Sequence, residues 1–99
     1  LIISSSFVYA LSEKEGISGM NIGEAVRERI IELCRERDIS INKLCSMSGV
    51  TQSTVNNIVS GRNNSATIST IKKLCDGLGI TIQDFFNASL FMDLDQEVE

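Results

Sequence analysis

The sequence predicts a compact all-α domain of five short helices. Three observations carry this reading. Apolar residues recur at three- and four-residue steps from Ile22 to Phe86, the spacing of one face of a helix. Ser or Thr stands before the later apolar runs and Gly follows most of them; these residue types start and stop helices. Aromatics make up 5% of the chain and proline is absent, which suits packed helices joined by tight turns better than an aromatic-rich sheet.

The elements follow in order. Val26, Ile30, Leu33 and Cys34 form the inner stripe of a first helix that runs from Ile22 to near Asp38. Arg27, Glu28, Glu32, Arg35 and Glu36 fall mostly on its outer face, where Glu32 can pair with Arg35 one turn away. Ser40 is the N-cap of a second helix with Leu44 and Cys45 inward, and Gly49 ends it. Thr51 caps a third helix whose inner positions are Val55, Ile58 and Val59, closed by Gly61. Residues 62–66 read as a polar loop. A fourth helix begins near Thr67, carries Ile68, Ile71, Leu74, Cys75 and Leu78 inward, and stops at Gly79. Thr81 and Asp84 have capping-box spacing for a short fifth helix with Ile82, Phe85 and Phe86 apolar.

Three segments are expected. Residues 1–19 differ from the rest and read as a leader foreign to the domain, with Met20 as its natural start, or as an arm that contacts a partner chain or inserts into a groove. They are not a secretory signal, because no basic start precedes a long apolar run. Residues 20–88 form the domain. Residues 89–99 form an acidic tail, with Leu90, Phe91, Met92, Leu94 and Val98 interspersed, expected to be disordered or to dock on a second subunit.

Charge and composition narrow the function. The net charge is −4, yet no acidic residue lies between Asp38 and Asp76, where Lys43, Arg62, Lys72 and Lys73 stand. Asp93, Asp95, Glu97 and Glu99 offset them, so the middle can face phosphate while the tail stays in water. The chain has no histidine, no Gly-rich phosphate loop and no metal-ligand spacing, which points away from an enzyme, a metal or a cofactor. Cys34, Cys45 and Cys75 form no CxxC pair and fall on inner helix faces, as small buried hydrophobes do in a reduced cytosol. Redox sensing would need an exposed thiol with a lowered pKa. No run is long and apolar enough to cross a bilayer.

The second helix, its turn and the third helix carry the functional signal. Cys45 is small where the two helices cross, Gly49 makes the turn, and Val50 plugs the corner. This is helix-turn-helix spacing, which projects the second helix away from the body. That helix turns outward Gln52, Ser53, Asn56 and Asn57, with Thr51 and Ser60 at its ends. Amides and hydroxyls are poor helix formers but rich in hydrogen-bonding groups, and Gln and Asn bond bidentately to adenine in the major groove. A merely solvated face would carry Lys and Glu.

The segments INKLCSMSGVTQSTVNNIVSGR (residues 41–62) and TIKKLCDGLGITIQDFF (residues 70–86) resemble the lambda-repressor-like (Cro/Xre-type) helix-turn-helix family. The resemblance implies a five-helix domain that binds a two-fold operator as a homodimer. It implies base contacts from Gln52, Ser53 and Asn57, with Asn56 at the groove's edge. It also implies phosphate contacts from Thr51, Ser60, Arg62 and Asn64, then Asn42 and Lys43. Three departures stand out. Ile41 replaces a Gln that often braces the reading helix. Ser48 replaces the usual apolar residue before the turn. Cys34 and Val59 occupy positions that often hold an Arg–Glu pair, so an apolar contact is expected there, and Val59→Glu should bury an unpaired charge.

The expected function is a sequence-specific transcriptional regulator, a repressor, acting on double-stranded DNA in the cytoplasm at the nucleoid. An antitoxin using the same domain plus the tail, and a protein-binding module with a degenerate reading helix, are the alternatives.

Overall fold

The structure, a computed structural model, describes residues 20–61 and 66–96. Five α-helices follow one another: α1 (Ile22–Arg37), α2 (Ile41–Ser48), α3 (Gln52–Val59), α4 (Ile68–Leu78) and α5 (Ile82–Phe86). A single 3-10 turn, Ser89–Phe91, comes last. The five-helix all-α fold is the one the periodicity implies.

Caps fix the helix ends. The side chains of Ser40, Thr51, Thr67 and Thr81 each accept from a backbone N–H of the first turn that follows. Thr81 and Asp84 form the expected reciprocal box, with Asp84 N–H donating to Thr81 Oγ1 at 2.9 Å. A second box, between Asn21 and Glu24, starts α1. Each such cap contributes on the order of 1 kcal/mol. α1 ends on Asp38, which takes the left-handed conformation at φ 55°, a role in which a short polar side chain is tolerated.

One core holds the helices. Ile30, Leu44, Val55, Leu74, Cys75 and Phe85 are its largest fully buried side chains. Ile41 is half-buried and packs against this cluster, so apolar burial occupies the place where the resemblance leads one to expect a polar brace. Cys34 is buried, and Val59 lies half-buried against the core. Val59→Glu therefore meets less desolvation than a change at Val55 would.

One inward assignment needs correction, and two apolar side chains of α5 lie at the core's margin. Ile68 is 78% exposed. It falls on the same stripe as Ile71, but at the first residue of α4 that stripe overhangs the core. Phe86 is 37% exposed and meets Phe85 and Phe91 edge-on, each ring centroid 4.9 Å away. Ile82 is half-buried at the core's margin.

The segment set apart as a tail folds back on the domain as far as it is described. The 3-10 turn packs on α1, Phe91 joins the core margin, and Asp95 N–H donates to Met20 O at 3.1 Å. The apolar side chain of Phe91 supplies the reason: it completes a three-ring cluster with Phe85 and Phe86. Met92 stays outside, 82% exposed.

All three cysteines are free and buried. Burial pushes each thiol above its ordinary value, with the neighbouring Cys45 adding to the effect on Cys34. That is the opposite of a redox sensor's requirement. The folded chain holds thiol protons that the unfolded chain releases above about pH 8.5. The folded pKa is raised, so this contribution is complete below that pH and is lost as pH rises through the folded values. The urea midpoint is therefore expected to be lower at pH 10 than at pH 8, and Cys34→Ala with Cys75→Ala should shrink the difference. An undiminished difference in that variant would assign it to other groups.

No helix among the described residues is long and apolar enough to cross a membrane.

Candidate nucleic-acid interface

The α2–α3 corner is built from small side chains and one glycine. Gly49 takes φ 69°, a conformation that costs a residue with a Cβ about 1 kcal/mol or more. Its N–H and that of Val50 both donate to Cys45 O, at 2.9 and 3.2 Å, which closes the turn. Leu44 and Cys45 from α2 and Val55 and Ile58 from α3 are buried together. Val50 packs against them from the turn.

With one stripe of α3 fixed inward, the opposite stripe must face out. Gln52, Ser53 and Asn56 are exposed, and Asn57 is half-buried beside them. The structure thus brings the four expected base-contacting residues onto one side of one helix. No charged residue occurs in α3. Thr51 and Ser60 flank it, both exposed.

The cap shapes what the N-terminal end can offer. Thr51 Oγ1 accepts from Thr54 N–H at 3.3 Å and lies 2.8 Å from Thr54 Oγ1 and 3.4 Å from Ser53 Oγ. The Thr51 hydroxyl is therefore engaged within the protein. Thr54, which the sequence reading passes over, is exposed and belongs to the same hydroxyl cluster.

The expected phosphate contacts divide. Asn42 and Lys43 are exposed in the first turn of α2, behind the Ser40 cap. Ser60 is the C-cap of α3. Arg62 and Asn64 lie outside the described residues. Lys73 is exposed, whereas Lys72 forms an ion pair with Asp76 one turn on, so part of the positive charge read from the sequence is answered locally.

Two supports escape the sequence reading. Arg27, assigned to the outer face of α1, lies at the C-terminal end of α3: its Nη1 stands 3.1 Å from where a Cβ on Gly61 would be. Its Nη2 pairs with Glu28 at 3.7 Å, and its Nε is buried without a hydrogen-bond partner. A cation there complements the negative end of the helix dipole. Gly77 of α4 touches the end of α2, where a Cβ would overlap Ser48 Oγ. Ser48, where the resemblance leads one to expect an apolar residue, thus lies directly against Gly77. Neither contact leaves a local signal, because each joins elements far apart in sequence.

Comparison with known proteins agrees with this geometry. The family described as the Cro/C1-type HTH DNA-binding domain matches residues 29–89. The crystal structure of the prophage Lp1 protein 11 superposes with a TM-score of 0.67 at 37% identity, covering 76% of this chain and 99% of that one. No curated protein sequence matches the chain. The family match spans more than half of the chain and includes α2, the turn and α3, so the chain belongs to the Cro/C1-type helix-turn-helix DNA-binding family.

Proposed function

We propose that the chain is a sequence-specific transcriptional repressor that binds operator DNA with α3 in the major groove, at the nucleoid in the cytoplasm. The observation that carries this reading is the outer face of α3: Gln52, Ser53, Asn56 and Asn57 on one side, with no charge in the helix. Such a face contributes little to phosphate attraction, so its value lies in hydrogen bonds to base edges. Gln52 and Asn57 read adenine, and Ser53 bonds to either base of its pair. Lys43, Asn42, Ser60, Arg62, Asn64 and the backbone around Thr51 hold phosphates and set the register. Two copies on half-sites about one helical turn apart multiply a weak monomer's affinity.

Selection from a random duplex pool tests this. Wild type is expected to enrich a two-fold site. Gln52→Ala with Asn57→Ala is expected to lose the preference while retaining weak, salt-sensitive binding, at a cost of about 1–3 kcal/mol per lost base contact. If wild type enriches nothing at low salt, the reading fails and the helix-turn-helix serves protein contacts instead.

A further inference from the structure

α3 carries no charged residue, and its far end, at Ser60 and Gly61, is the negative end of the helix dipole. A phosphate of the DNA backbone would be repelled there unless a cation stood beside it. α1 supplies that cation. The side chain of Arg27 reaches across to α3 and brings Nη1 within 3.1 Å of where a Cβ on Gly61 would be. That side chain is 29% exposed, so the protein sets its position while one side stays open to solvent.

The donors of this guanidinium are unused. Nε is buried without a hydrogen-bond partner. Nη2 meets Glu28 at 3.7 Å, an ion pair beyond hydrogen-bond distance, and such surface pairs are weak and screened by salt. Among the described residues Arg27 donates no hydrogen bond. Arg29, two residues on, is the contrast: its Nε, Nη1 and Nη2 all donate within the fold. A guanidinium has donors and no acceptor, and its planar fork matches the paired oxygens of a phosphate.

We infer that Arg27 is a DNA-backbone ligand, donating from its Nη groups to the phosphate that meets the C-terminal end of α3. The inference rests on the reading of α3 as the base-reading helix, and adds to it a phosphate contact from a different helix. Ser60, already expected on a phosphate, caps the same end. On binding, the guanidinium exchanges its loose contact with Glu28 for charge-assisted hydrogen bonds of about 2.7–2.9 Å. Because α1 packs on α3, a phosphate held by Arg27 also fixes how the domain body stands over the groove. The competing role is purely internal: a counter-charge for the α3 dipole that never touches DNA.

The test uses the full chain on two duplexes, the site that wild type selects from a random pool and an unrelated sequence. Arg27→Met is expected to weaken binding to both by the same factor and to leave the selected sequence unchanged. The slope of log affinity against log salt is expected to fall by about 0.9 per bound chain, and Arg27→Lys should restore it. Ethylation of one phosphate in each half-site should weaken wild type and have no effect on Arg27→Met. The Tm should stay within a few degrees of wild type, since no hydrogen bond of the fold is lost; Arg27→Gln is the second variant should methionine prevent folding. An unchanged slope with a lowered Tm would overturn the inference in favour of the internal role. A reduced slope with an unchanged ethylation pattern would overturn it too, because the charge would then act without contact. If wild type binds both duplexes without preference, the reading of α3 fails while the slope still decides on Arg27. If wild type binds neither at low salt, both fail.

Discussion

Replacing Arg29 by methionine is expected to lower stability by about 3 kcal/mol. Arg29 is 9% exposed, the one buried charged residue among those described. Its Nε donates to Phe85 O at 2.6 Å and its Nη2 to Asp84 O at 2.8 Å, while Nη1 pairs with Glu32 at 2.7 Å. It thereby serves two carbonyls at the last turn of α5, which has no basic residue of its own there. Hydrogen bonds from a charged donor contribute about 1.5–3 kcal/mol each, and a buried carbonyl left without a donor adds its desolvation cost. Methionine keeps most of the stem and removes the fork, so packing loss is small. The Tm is expected to fall by about 15 °C. Arg29→Lys should recover little, because one ammonium does not match two carbonyls set apart in a fixed fork. A thermal melt followed by circular dichroism decides; a loss under about 1 kcal/mol would mean that water replaces the guanidinium at both carbonyls.

Gly77→Ala is the second large effect, and two terms oppose each other in it. Alanine favours a helix interior by about 1 kcal/mol over glycine. Against this, the new Cβ would overlap Ser48 Oγ and stand 2.8 Å from Ser48 Cα and 3.0 Å from Met47 C. The hydroxyl can rotate away; the main chain cannot. α2 and α4 must separate, and overpacking of this kind costs about 1–3 kcal/mol, occasionally more. Because the closest fixed atoms are backbone, the steric term lies toward the upper end of that range and wins, and a net loss of about 1–2 kcal/mol is expected in urea unfolding. Ser48→Gly added to Gly77→Ala should relieve only part of it, since the clash with the main chain of α2 remains. Full rescue by Ser48→Gly would show that the hydroxyl alone limits the approach. α3 is carried by the same corner, so DNA affinity should fall along with stability.

These two residues mark where the sequence stops being informative. Helix starts were legible because Ser40, Thr51, Thr67 and Thr81 satisfy amides within their own first turns, an interaction spanning three residues. The reading face of α3 was legible for the same reason: once Val55 and Ile58 face inward, Ser53, Asn56 and Asn57 have only one side left. Arg29 reads as one more charge on a helix, because its partners are 55 and 56 residues away. Gly77 reads as a poor helix former, because the backbone that excludes its side chain belongs to α2. Ile68 was misplaced by the opposite error: periodicity assigns a stripe but does not say where the core ends. The turn at Ser89–Phe91 had no repeat to reveal it and forms through the rings of Phe85, Phe86 and Phe91. Local rules therefore gave the elements and the face, while the contacts that fix the elements against one another came from the structure.

The clasp between Met20 and Asp95, together with Arg29 reaching Asp84 and Phe85, has a consequence for synthesis. α1, translated before the other four helices described, finds its last partners in α5 and the segment that follows it. While the ribosome still holds those residues, α1 can pack on α2 and α3 but lacks its contacts with Asp84, Phe85 and the turn after α5, and the Arg29 guanidinium must remain hydrated. Contacts of such separation close late, because loop entropy opposes them until most of the core is in place. The guanidinium fork and the clasp should therefore close only after the segment through Asp95 has cleared the exit tunnel.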